Sequence, residues 1–80
     1  MTFLIRPGAP LYQAQLQARA FDTWREAELL VQLRWDTFLE ADRASRRGAF
    51  AAYVAALDAE TTAAGELAQV HVHAHLAEAA

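Results

Sequence analysis

Between Leu11 and Asp42 the chain has no Gly or Pro, and apolar residues recur every three or four positions. At 100° per residue, Leu16, Ala20, Phe21, Trp24, Ala27, Val31, Trp35 and Phe38 share one half of a helical wheel. Arg19, Asp22, Arg25, Glu26, Asp36, Glu40 and Arg43 share the other. The pattern predicts an amphipathic helix over 10–42, with Pro10 in its first turn, where a missing N–H costs nothing. Inside the apolar half, Phe21/Trp24, Glu28/Val31 and Trp35/Phe38 repeat every seven residues, which predicts a packing seam with one polar interruption. Glu28 there either sits at the seam edge, paired with Arg25 or Gln32, or is buried and fixes register. Leu29 and Leu33 stand one turn apart on the polar half, as a second contact surface would.

Residues 43–48 weaken the helical signal. Asp42 or Ser45 can cap a new helix, and Arg46-Arg47-Gly48 with Arg43 reads as a solvated basic corner. A second helix is predicted over 49–76. Phe50, Tyr53, Val54, Leu57, Thr61, Ala64 and Ala68 make its stripe, bulky near the corner and small beyond it. Gly65 marks either a close contact or the end of the regular helix. A short corner forces the two helices to run antiparallel.

The segment Val70-His71-Val72-His73-Ala74-His75-Leu76 has two readings. As helix, it puts His71 and His75 on one face and turns His73 away. As strand, it puts all three His on one face and lets 70–76 pair with residues 2–5 as a short β-ribbon of the two termini. Either way, His71, His73 and His75 are the metal candidates, for Zn or Ni. Against this stand solvated histidines near a helix end, or an interface that titrates near pH 6.5.

Composition narrows the class. Eighty residues make one domain. No cysteine means no disulfide, thiolate metal site or thiol nucleophile. A core this small rarely supplies more than about 3–5 kcal/mol, so association is a natural supplement. The net charge is −3, and all seven Arg precede residue 49, while residues 49–80 hold four acids and no Arg. That gives a nucleic acid little to bind. No apolar run reaches the roughly 20 residues of a membrane span. No phosphate-cradling Gly-rich loop or His-Glu-x-x-His pattern occurs, and Glu66 and His71 are five apart, not the three of carboxylate-bridged metal bundles.

The expectation is therefore an all-α protein. Residues 1–9 form an extended arm, and 10–80 form an antiparallel two-helix hairpin that dimerises into a four-helix bundle. Its interface residues are Phe21, Trp24, Val31, Trp35 and Phe38, with Leu29 and Leu33. The expected role is a cytoplasmic, non-enzymatic interaction or scaffold module. It would bind itself and another protein, with no nucleic acid, membrane or obligatory cofactor. A small metal- or ligand-binding bundle, and an accessory regulator without its own DNA-binding surface, are the alternatives.

Overall fold

The computed structural model describes residues 8–79, with side chains for residues 11–76. Residues 1–7, including the β-leaning residues 2–5, lie outside the described residues. Two α-helices make up the fold: α1, Gly8–Glu40, and α2, Arg46–Ala79. They pack antiparallel as a hairpin. Among the described residues there is no strand, and no helix is long and apolar enough to cross a membrane.

Both helices begin earlier than the sequence pattern predicts. Gly8 and Ala9, assigned to the extended arm, already belong to α1. Pro10 then falls in the first turn, where N–H groups have no intrahelical partner. At the other end, Ala41 N–H bonds back to Phe38 O at 3.2 Å and closes a tight last turn. Asp42 then caps the turn that leads into α2. Its Oδ1 accepts the Ser45 N–H at 2.9 Å, and its carbonyl takes the same N–H at 3.2 Å. Asp42 is thus the cap, and Ser45 is the group it caps. The predicted Arg46-Arg47-Gly48 corner lies inside α2, and the connection is residues 41–45.

Gly65 neither ends the helix nor marks a close contact. α2 runs through it with no positive φ, and a Cβ there would meet nothing within 4 Å. The strand reading of 70–76 is likewise overturned, because these residues are the C-terminal turns of α2. No Gly or Pro interrupts this stretch, and Ala flanks it, so helix propensity decides over a three-residue His alternation.

The seam between the helices differs from the predicted one. On α1 a run of partly covered positions comprises Gln13, Gln17, Ala20, Trp24, Ala27, Val31, Arg34, Phe38 and Ala41. On α2 the covered run is Ala49, Tyr53, Ala56, Glu60, Ala63, Leu67, Val70 and Ala74. Both runs alternate steps of four and three, the spacing of a two-stranded coiled coil. Trp24, Val31 and Phe38 belong to the seam as expected. Ala20, Ala27 and Arg34 take the places assigned to Phe21, Glu28 and Trp35, one residue earlier in each heptad. On α2 only Tyr53 of the predicted stripe lies in the seam itself. Small residues win these positions because they let the helix backbones approach. Arg34 enters through its aliphatic stem, which can lie along apolar surface while the charge stays wet.

Candidate functional site

The hairpin has almost no interior. Its buried residues are Ala56, Ala63 and Ala74, and no described side chain larger than alanine is buried. The bulky side chains sit beside the seam. On α1, Phe21 follows Ala20 and Trp35 follows Arg34; on α2, Phe50 follows Ala49 and Leu57 follows Ala56. In an antiparallel pair, these following positions on both helices lie on the same broad side.

The ring geometry agrees. Trp35 packs on Tyr53 with centroids 4.9 Å apart, and Phe38 packs on Phe50 at 5.5 Å. Trp35–Phe38 at 5.5 Å and Phe50–Tyr53 at 6.3 Å join the four rings into one cluster next to the connection. Phe21 and Trp24 form a second pair at 5.7 Å further along. Even so, Phe21 and Phe50 remain about half exposed, at 48% and 49%, and Trp35 is 38% exposed.

Polar groups fix the register. Trp24 Nε1 donates to Glu60 Oε2 at 2.8 Å across the seam. Glu60 is therefore the seam carboxylate, the role that one of the two readings gave to Glu28. Glu28 instead pairs with Arg25 on its own helix, Nη1 to Oε1 at 2.6 Å, as the edge reading expects. Glu60 stays hidden in the sequence because its stripe is mostly alanine and offers no strong phase. Leu29 and Leu33 point outward on α1, away from α2, and are 57% and 56% exposed.

The histidines divide between two flanks. His71 follows Val70 on the aromatic side, and His75 is one turn beyond it, whereas His73 is on the opposite side. There His73 lines an open groove of about 510 Å³ with Gln13, Leu16, Val70 and Leu76. His71 Nδ1 lies 3.0 Å from Leu67 O, and His73 Nδ1 lies 3.1 Å from Gln69 O. A carbonyl only accepts, so in both rings Nδ1 carries the proton and Nε2 is left with a free lone pair in the neutral form. Among the described residues no group of three or more His, Cys, Asp or Glu comes together as a metal cage.

No family model matches the chain, and neither does any curated protein or solved structure.

Proposed function

We propose that the protein is a non-enzymatic interaction or scaffold module that works as a helical homo-oligomer, in the simplest case a four-helix bundle of two hairpins. The observation that carries this reading is the missing interior. A chain with 55% hydrophobic residues buries only three alanines among its described residues. Its large apolar side chains lie along the outside of two long helices, where a second layer would cover them. Leu29 and Leu33, on the outer face of α1, are the surface proposed for a further protein partner.

Sedimentation equilibrium with far-ultraviolet circular dichroism on the same samples tests the reading. The expected result is a dimer or higher oligomer whose helicity falls on dilution, because the folded hairpin and its partner form together. A folded monomer at about 10 µM would overturn it.

A second reading rests on the His71 ring. Metal-bound histidines usually donate their other N–H to a carbonyl or carboxylate, and His71 Nδ1 already does so to Leu67 O. With His75 one turn away on the same side, Nε2 of His71 is set to share a Zn²⁺ or Ni²⁺ ion, with further ligands drawn from another copy. The expected outcome is a rise in melting temperature on adding either ion. His73→Ala should keep the rise and His71→Ala/His75→Ala should abolish it. An unchanged melting curve with and without metal would reject the site.

A further inference from the structure

The seam residues do not exhaust the pattern on either helix. On α2 a second run steps by four and three: Phe50, Val54, Leu57, Thr61, Ala64, Ala68, His71 and His75. It carries no Asp, Glu, Arg or Lys from end to end. On α1 the matching run goes from Ala14 and Ala18 through Phe21, Arg25, Glu28 and Gln32 to Trp35 and Leu39. Both runs flank the seam on the same broad side, so the hairpin carries a second pair of coiled-coil stripes that its own chain covers only in part, at Glu28, Leu57 and Ala64.

We propose that this face binds a second copy of the same chain, laid antiparallel about a two-fold axis that passes between Thr61 and Ala64 on α2 and between Arg25 and Glu28 on α1. The proposal rests on the oligomeric reading above and adds the surface and the orientation. Three observations select it. The first is shape. On α2 the run goes from Phe50, Val54 and Leu57 near the connection to Ala64 and Ala68 past mid-length before it ends in His71 and His75, and on α1 it goes from Leu39 and Trp35 to Ala18 and Ala14, with Phe21 between. A two-fold at mid-length sets Leu57 against the partner copy's Ala68 position and Val54 against its His71 position. On α1 it sets Trp35 against Ala18 and Leu39 against Ala14. A parallel lap would instead oppose bulk to bulk and alanine to alanine.

The second is charge. The only charged residues in either run are Arg25 and Glu28, and they straddle the proposed axis. Under that symmetry the Arg25 of each copy faces the Glu28 of the other, so the pair already formed at 2.6 Å becomes half of a reciprocal set. The two helices, read separately, place the axis at nearby levels: the Trp35–Tyr53 contact puts the two centres about one residue apart along the hairpin, and the Trp24–Glu60 bond about five.

The third is area. A 33-residue helix is about 50 Å long, and two packed helices are about 20 Å wide, which gives a face of about 1,000 Å². A stable interface needs about 800 Å² from each partner.

The chain has no cysteine, so introduced ones are unique reporters. Leu57→Cys and Ala68→Cys proteins are prepared singly, mixed under denaturant, refolded together in a glutathione redox buffer, and sized by mass spectrometry. Val54→Cys with His71→Cys is the second pair, in case the first perturbs folding. In the proposed dimer the two unlike positions face each other. Like positions are 11 residues apart along the axis in the first pair and 17 in the second, about 16 and 25 Å, beyond the roughly 7 Å Cα separation a disulfide spans. The expected result is a cross-linked heterodimer in each mixture and none from any variant alone. Cross-linking of a single variant with itself would overturn the antiparallel lap. No cross-link in either mixture, with sedimentation still reporting an oligomer, would overturn this face as the interface and leave the oligomeric reading standing. A folded monomer in sedimentation would remove both.

Discussion

Trp24 and Glu60 are 36 residues apart in the chain, yet the indole N–H of one donates to the carboxylate of the other at 2.8 Å. It is the one side-chain hydrogen bond between the helices among the described residues, in a seam otherwise built largely from alanine and aliphatic groups. Sliding α2 by one seam position in either direction would break it and set the indole N–H against Ala56 or Ala63, so the bond discriminates against neighbouring registers.

Removing either partner should therefore cost stability, and removing both should cost less than the sum. A double-mutant cycle of Trp24→Phe and Glu60→Ala is expected to give a coupling of about 0.5–1.5 kcal/mol, measured by urea unfolding at fixed protein concentration. Glu60→Gln keeps an oxygen acceptor and should lose less than Glu60→Ala. Additive single effects would mean that the contact is incidental.

The connection makes a pH-dependent contribution. The Ser45 backbone N–H, with help from its hydroxyl, holds the Asp42 carboxyl below its ordinary value of 3.8. A carboxylate whose value is lowered on folding stabilises the fold above the unfolded value, and that stabilisation is lost as pH falls through the folded value. Asp42→Ala should lower the melting temperature at pH 7, and the gap from the parent should shrink as pH falls below 3.8. Asp42→Asn, which keeps the acceptor, should lower it less than Asp42→Ala at pH 7. A gap that is constant down to pH 2 would count against the cap.

Gly65 lies on the outward side of α2, in open space and in helical backbone. Gly65→Ala should raise stability by about 0.5–1 kcal/mol, since the helix gains propensity and meets no obstacle. The urea midpoint reports it. A fall would show that something packs against that side of α2.

Ala56 is the most buried residue described, 4% exposed, and it faces α1 from the seam. Ala56→Leu should destabilise by about 1–3 kcal/mol, because the helices would have to part to admit it. Ala56→Ser, close in volume, should cost less. If the Leu variant melts higher than the parent, the seam is loose.

Helix number, direction and approximate bounds were legible from the periodicity of Leu16 to Phe38 and from the turn-forming residues after Glu40. The phase of the seam was not. Phe21, Trp35, Phe50 and Leu57 dominate any hydrophobic wheel, so the wheel points at them. The chain's own packing is decided by backbone approach, which favours Ala20, Ala27, Ala56 and Ala63. A hydropathy pattern weighs transfer to an apolar phase and is nearly blind to the advantage of a missing side chain. The same blindness hid Glu60, which sits among alanines. The helical reading of the three histidines was available from spacing, and it already separated His73 from His71 and His75. What remained invisible was the Nδ1–carbonyl bonding, which depends on the ring's rotamer.

The aromatic cluster beside the connection also sets an order of events in folding. Phe38 and Phe50 are 12 residues apart in the chain, whereas Trp24 and Glu60 are 36 apart. Loop closure grows costlier with length, so the hairpin nucleates at the four rings and zips outward. The histidines lie at the end that closes last and opens first. Whatever grips them, an ion or another chain, acts as a latch on the whole zipper.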